Sequence, residues 1–307
     1  MAGVTQASAP ASEGTAKVET PFRRFVADFT ESKLALGGLI VFAIVFVAAM
    51  LCAFISPQNP YDLRQLDIMD GKMPPGSIAG DGLKFWLGSD SQGRDMVSAI
   101  LYGLRTSFLV AVTSGFIAAA VGTTVGLIAA YYGGKIDTFL MRTVDIKLSF
   151  PAILIALILL ALLGQGTGKI ILALVIIQWA YYARTVRASA LVERRKEYVE
   201  AAHCLALPKS RILFRHILPN CLPPLIVVAT IQIANSIALE ATLSFLGVGL
   251  PITEPSLGLL IANGFEYILS GVYWISFFPG IALLVTIVSI NLVGDQLRDV
   301  LNPRLQK

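Results

Sequence analysis

Long apolar runs without ionisable side chains dominate this chain. Crossing a hydrocarbon core of about 30 Å takes about 20 residues at about 1.5 Å each. Three runs are free of charge throughout, two reach the required length by extension past charged residues, and one is flanked by Lys169 and Arg184. The six predicted spans are residues 34–55, 107–132, 148–163 extended back through 141–147, 170–183, 221–239 extended toward 250, and 267–294. The pattern predicts an all-α polytopic membrane protein with six transmembrane helices.

Basic residues are unevenly distributed between the segments that connect these spans. If the N-terminus is cytoplasmic, 18 of the 24 Lys and Arg residues lie inside and six lie outside. The positive-inside rule therefore predicts that both termini are cytoplasmic. With 55% hydrophobic and 14% charged residues, the composition excludes a soluble globule or a nucleic-acid binder. The net charge of +4 indicates orientation in the membrane rather than a nucleic-acid partner.

The segments outside the apolar runs differ in composition. The first 20 residues lack periodic hydrophobic positions, which is typical of disorder, whereas Phe25, Val26 and Phe29 lie on one face of a helix. Pro and Gly residues punctuate the stretch after the first span, and we expect it to fold against the outer face. The predicted organisation is a disordered cytoplasmic tail (1–20), an interfacial helix (21–33), the first transmembrane helix (34–55), an external segment (56–105) and a five-helix core (106–305) with a cytoplasmic loop (184–220).

We find no catalytic or metal-binding constellation in the sequence. Residues 164–169 resemble a phosphate-binding loop, but the Walker A spacing is one residue short and the required strand is lacking, so we interpret them as a turn. His203 and His216 have no Glu at a zinc-protease spacing. The three cysteines, Cys52, Cys204 and Cys221, are interpreted as small buried hydrophobic residues. The sequence predicts neither an enzyme nor a metal site.

Few polar side chains fall inside the apolar runs. Glu240 is the most notable, because polar groups at membrane depth usually face a bundle interior or a pathway. With Asn235 and Ser244, it forms a candidate pathway or gate. The alternative is that Glu240 lies at the outer interface, since it stands about 27 Å along a helix that starts at Leu222.

The cytoplasmic loop carries the strongest pattern. Its first helix begins near Glu197 and is broken at Pro208, and a second short helix is predicted over residues 209–217 with Arg211 and Arg215 on it. An apolar face on the first helix comprises Tyr198, Ala201, Ala202 and Leu205. Such a helix pair could dock in a groove of another protein, or it could be a basic hairpin on the membrane surface.

Glu200-Ala201-Ala202, followed by Leu218-Pro219, resembles the Glu-Ala-Ala loop of ABC importer permeases. The family usually has Gly in the turn where this chain has Ala206. The resemblance implies that this loop docks on a cytoplasmic ATPase. The expected coupling residues are Glu200, Ala201, Ala202, Leu205, Ala206, Arg211 and Arg215.

The resemblance covers most of residues 22–305. Residues 86–95 are similar to the outer-loop signature of the dipeptide and oligopeptide permease subfamily. Other motifs of the subfamily are matched by residues 149–151, 240–247 and 291–299. The signature residues are Gly88, Asp90, Gly93, Arg94 and Asp95. At residues 256–258 the chain departs from the subfamily, which often has an acidic residue and Trp before the Gly.

The resemblance implies the C-type subunit of an importer in a bacterial plasma (inner) membrane. Its expected partners are a second, different permease subunit, two cytoplasmic ATPase subunits and an external solute-binding protein. ATP and Mg²⁺ belong to the ATPases, and we expect no cofactor on this chain. Transport would proceed by alternating access. Peptides are the favoured cargo, with nickel complexes, glutathione and opines as alternatives. A secondary transporter driven by an ion gradient is the competing class, but we find no midplane acidic relay or inverted repeat.

Overall fold

The computed structural model describes residues 21–301, which are mainly α-helical and contain no β-strand. The predicted tail, residues 1–20, lies outside the described residues, as do residues 302–307. The α-helices are α1 (Pro21–Glu31), α2 (Lys33–Met50), α3 (Cys52–Ile55), α4 (Met96–Tyr132), α5 (Gly134–Ser149), α6 (Ala152–Leu163), α7 (Thr167–Glu193), α8 (Glu197–Cys204), α9 (Lys209–Arg211), α10 (Leu218–Phe245), α11 (Leu257–Phe265) and α12 (Trp274–Leu301).

Within residues 21–301, five helical stretches are long and apolar enough to cross a membrane. They are α2, α4, α7, α12 and the stretch Lys209–Phe245. A sixth crossing exists if α5 and α6 together form one span, although the two helices meet at an angle of 89°. The predicted count of six spans therefore holds only when α5 and α6 are counted together as one span.

The third predicted span is broken where the sequence analysis expected a continuous helix. Helix α5 ends at Ser149, Phe150 is extended (φ −93°, ψ 139°), and α6 begins after Pro151. Proline has no N–H to donate and disfavours helical geometry in the residue before it. The extension of residues 148–163 back through 141–147 as a single helix is therefore wrong.

Other predicted boundaries also move. The first predicted span, residues 34–55, is divided at Leu51 into α2 and α3, and α12 begins at Trp274 rather than at residue 267. Helix α4 begins at Met96 rather than near residue 107, and its 37 residues make it about 55 Å long. The second short helix of the cytoplasmic loop does not end at Ile217. A π-helical turn, Ile212–Ile217, joins α9 directly to α10. Pro219 follows this π-helical turn directly, as the second residue of α10.

Helices α4 and α7 pack against each other along most of their lengths. Gly122 and Gly126 permit this close approach, since a Cβ atom on either would lie within 2.5 Å of a backbone oxygen of α7. Helix α1 packs through Phe25 and Phe29 against the end of α12. It ends at Glu31 rather than at residue 33, because the Ser32 hydroxyl caps α2 by accepting from the Ala35 N–H.

Candidate functional site

Helix α8 is the first helix of the cytoplasmic loop, and it packs on the ends of the long helices. Val199 and Ala202 are buried in an apolar cluster. Their neighbours in the cluster come from α4, α7, the π-helical turn and α10, and include Leu127, Val186, Ile212, Leu213 and Cys221. Of the four residues on the apolar face predicted from sequence, Ala202 is buried in the bundle, whereas Tyr198, Ala201 and Leu205 are exposed. Val199 was missed because helical spacing alone does not show which side meets the bundle.

The opposite side of α8 is open. Glu200 and Ala201 are exposed, and the Leu205 side chain, just after the helix, is 73% exposed. Arg211 and Arg215 are also exposed. An exposed leucine beside an acidic residue gives this side the mixed apolar and charged character of a protein-docking surface. We call Glu200, Ala201 and Leu205 the coupling surface.

Polar contacts hold α8 between two long helices. The Tyr198 hydroxyl donates to Glu193 Oε2 at 2.7 Å and accepts from Asn220 Nδ2 at 3.1 Å. Lys196 also donates to Glu193, at 2.7 Å. Partial burial and the neighbouring Glu193 carboxylate raise the pKa of Tyr198 to about 12, so the phenol stays a neutral donor. Glu193 ends α7 and Asn220 lies in the first turn of α10, so Tyr198 links α8 to both.

The sequence analysis placed Tyr198 on an apolar face and missed Glu193 and Asn220. These two residues are separated from each other by 27 positions, and nothing in their local sequence marks them as partners. Only the folding of the loop brings them to the same hydroxyl group.

The turn after α8 explains how Ala206 replaces glycine. Ala206 has a left-handed backbone (φ 54°). Its N–H donates to the His203 carbonyl at 2.9 Å, and the Leu207 N–H donates to the Ala202 carbonyl at 3.2 Å. This pair of bonds is a Schellman motif, in which the left-handed position is usually glycine. The turn geometry is therefore retained with alanine, at a strain of about 1–2 kcal/mol.

The outer-loop signature is built around a buried ion pair. Arg94 Nε donates to Asp90 Oδ2 at 2.6 Å, and both side chains are 1% exposed. The other oxygen of Asp90 accepts from the backbone N–H groups of Gln92 and Arg94. Gly88 and Gly93 both have positive φ, and a Cβ on Gly93 would lie 2.0 Å from the Asp67 carbonyl oxygen.

The signature also starts α4 and fastens the loop to α12. Asp95 caps α4 by accepting from the Ser98 N–H at 2.8 Å, although burial raises the pKa of this carboxyl. The Asp95 N–H donates to Gln58 Oε1, and the indole N–H of Trp274 donates to the Ser89 carbonyl at 3.1 Å. All five signature residues are buried in the folded loop, and their contacts stabilise its conformation.

The candidate gate residues separate into two groups. Glu240 is fully buried, and its carboxylate accepts from the hydroxyls of Ser107 (2.7 Å), Ser244 (2.8 Å) and Ser256 (2.9 Å). This cluster joins α4, α10 and the segment before α11. Glu240 is therefore enclosed by protein, and Ser244 contacts it as grouped, while the alternative that Glu240 lies at the depth of the outer membrane interface stays a prediction. Asn235 is elsewhere on α10, exposed, and donates to Gln232 Oε1 at 2.9 Å.

One cysteine also departs from expectation. Cys52 and Cys221 are buried, but Cys204 is exposed at the end of α8. The interpretation of all three as buried hydrophobic residues is wrong for Cys204.

Comparison with known proteins agrees with this architecture. The profile of the binding-protein-dependent transport system inner membrane component family matches residues 122–307, and that of the N-terminal TM domain of oligopeptide transport permease C matches residues 20–75. A chain in a structure of the MetNI methionine ABC transporter has the same fold, with a TM-score of 0.55 and 20% identity over 67% of this chain and 98% of that chain.

Curated relatives match over nearly their whole length. The di/tripeptide transport system permease protein DppC of Pseudomonas aeruginosa is 33% identical over 97% of both chains. The dipeptide transport system permease protein DppC of Haemophilus influenzae is 35% identical over 94% of this chain and 97% of its own. The chain belongs to the family of inner membrane components of binding-protein-dependent transport systems, as a non-catalytic permease subunit of an ABC importer.

Proposed function

We propose that this chain forms, with a second and different permease subunit, the translocation path of an ATP-driven importer for dipeptides or oligopeptides. The observation that carries the proposal is the coupling surface, which is open to a partner while Tyr198 fastens the same helix to α7 and α10. Peptide cargo is supported by the relatives, which are named as di/tripeptide and dipeptide transport permeases.

The proposed partners follow from the same surface and from the family. Two cytoplasmic ATPase subunits, which carry the ATP and Mg²⁺, would engage Glu200, Ala201 and Leu205, with Arg211 and Arg215 as supporting charges. An external solute-binding protein would deliver the cargo to the outer side. The chain would lie in a bacterial inner membrane with both termini in the cytoplasm and would bind no cofactor itself.

Alternating access would follow from the contacts that link α8 to α7 and α10. When ATP closes the ATPase dimer, the force on α8 reaches α7 through Glu193 and α10 through Asn220. These helices extend across the membrane, and α10 carries Glu240, whose serine contacts reach α4 and the segment before α11. A displacement at the cytoplasmic side can therefore change the packing around Glu240.

The test is ATP hydrolysis and uptake by the complex that co-purifies with a tagged copy from its native membrane. The complex is reconstituted with its binding protein and challenged with a panel of dipeptides, oligopeptides, glutathione, a nickel complex and an opine. We expect peptides to stimulate hydrolysis and to be imported. Ala201→Trp should abolish the stimulation, whereas Ala27→Trp, at an exposed alanine of α1, should not.

Two results would overturn the proposal. Stimulation only by a non-peptide member of the panel would reject peptide cargo. Uptake that followed an ion gradient, with no ATPase in the purified complex, would replace the importer with a secondary transporter.

A further inference from the structure

A cleft of about 280 Å³ lies between α6, α7 and α10. Its lining combines apolar side chains with neutral polar ones, and none of the lining residues is charged. The lining residues are Ala152, Ile177, Gln178, Tyr181, Gln232, Asn235, Ala238, Leu239 and Thr242. The helices α7 and α10 that form most of it are those linked to α8 by Tyr198.

Two glutamines in the cleft are nearly buried, Gln178 at 3% exposure and Gln232 at 4%. Each uses only one end of its amide group. Gln178 Nε2 donates to the Ser236 hydroxyl, and Gln232 Oε1 accepts from Asn235. Gln178 Oε1 and Gln232 Nε2 have no hydrogen-bond partner within the described chain.

Buried amide atoms are normally paired, because leaving one unpaired loses the hydrogen bonds that water would have made. Here an acceptor on α7 and a donor on α10 are left unpaired on two side chains that line the same uncharged cleft. This combination is the complement of a single amide group, which presents one N–H donor and one C=O acceptor.

We propose that the cleft binds the backbone amide of the cargo during its passage. Gln178 Oε1 accepts the peptide N–H and Gln232 Nε2 donates to the peptide C=O. Since no charge lines the cleft, it recognises the peptide group that all such cargoes share and leaves side-chain selection to other parts of the system. The inference rests on the proposed peptide import and adds the residues that contact the cargo.

The test compares uptake of alanyl-alanine and of alanyl-N-methylalanine, which lacks the peptide N–H, by the whole reconstituted importer. The binding protein also discriminates between these two probes, but its contribution is the same for every permease variant and cancels when their uptake ratios are compared. The variants are Gln178→Met and Gln232→Met, with Gln296→Met in α12 as a control outside the cleft.

Gln178→Met should reduce the preference for alanyl-alanine over its N-methyl analogue by roughly tenfold relative to the unmodified importer, because the acceptor for the N–H is gone. Gln232→Met should lower uptake of both probes and leave their ratio unchanged, since both retain the C=O. Gln296→Met should not change the ratio.

An unchanged ratio in Gln178→Met, with normal uptake by the unmodified importer, would overturn the cleft proposal alone. Loss of the second permease subunit from purified Gln178→Met or Gln232→Met would also overturn it, since the amides would then serve subunit assembly. If the unmodified importer takes up neither probe nor any other peptide, the proposed function fails and the cleft proposal fails with it.

Discussion

The outer loop and the cytoplasmic loop both carry sequence signatures, but they present them in opposite ways. In the outer loop, Asp90 and Arg94 are almost completely buried and contact each other. In the cytoplasmic loop, Glu200 and Ala201 are exposed and only Ala202 is buried. One signature therefore holds a loop together and the other presents a surface. Substitutions in the outer loop should therefore lower the stability of the chain, whereas substitutions on the exposed side of α8 should impair the coupling of ATP hydrolysis to transport.

The largest effect is expected in the outer loop. Arg94→Met leaves the Asp90 carboxylate buried without its cation, which should cost about 3–5 kcal/mol. We expect a sharp fall in the amount of chain recovered from membranes and in the thermal stability of the purified complex. Arg64→Met, at an exposed position of the same loop, is the control and should change neither. Equal recovery of both variants would show that the ion pair does not hold the loop.

The next effect separates two adjacent alanines of α8. Ala201→Trp adds bulk on the exposed side and should lower uptake at least tenfold with normal recovery of the chain. Ala202→Trp places the same bulk in a packed cluster and should reduce recovery itself, at a cost of about 1–3 kcal/mol. Quantitative immunoblots alongside uptake assays would distinguish the two. Identical behaviour of both variants would contradict the orientation of α8.

A smaller effect is expected at the link between α8 and its neighbours. Tyr198→Phe removes the hydroxyl shared by Glu193 and Asn220, worth about 1 kcal/mol, and should reduce cargo transported per ATP a few-fold. Because the pKa of Tyr198 is raised to about 12, its contribution is complete below about pH 10 and is lost only as pH rises through about 12.

The amount of cargo that the unmodified importer transports per ATP should therefore show no change that depends on Tyr198 across the physiological pH range. Tyr132→Phe, at an exposed tyrosine of α4, is the matched control. If Tyr198→Phe transported as much cargo per ATP as the unmodified importer, this hydroxyl would have no part in transmitting motion from α8.

The smallest effect concerns the turn after α8. Ala206→Gly relieves the left-handed strain and should raise stability by about 1 kcal/mol or less, because the gain is partly offset by the greater freedom of glycine in the unfolded chain. The measurement is the thermal midpoint of the purified complex. Ala201→Gly, at a helical position, should shift the midpoint downward. A lower midpoint for Ala206→Gly would contradict the Schellman geometry.

Much of the fold could be predicted from local patterns. The apolar runs placed five long helices, because the requirement for about 20 apolar residues is set by bilayer thickness. The motifs of the two loops also indicated the family correctly, which the matched profiles and relatives show. The patterns did not show where a helix is interrupted, as at Phe150, or where two predicted helices are continuous, as through the π-helical turn Ile212–Ile217.

The sequence by itself determined that the chain is a membrane permease and where the family motifs lie along it, since hydropathy and short motifs are properties of neighbouring residues. Only the tertiary structure decided which side of α8 is buried, that Glu240 meets Ser107 across 133 positions, and that two glutamines, each with an unpaired amide atom, line one cleft. The physical reason is that burial and hydrogen bonding depend on residues distant in the chain, which no local pattern brings together.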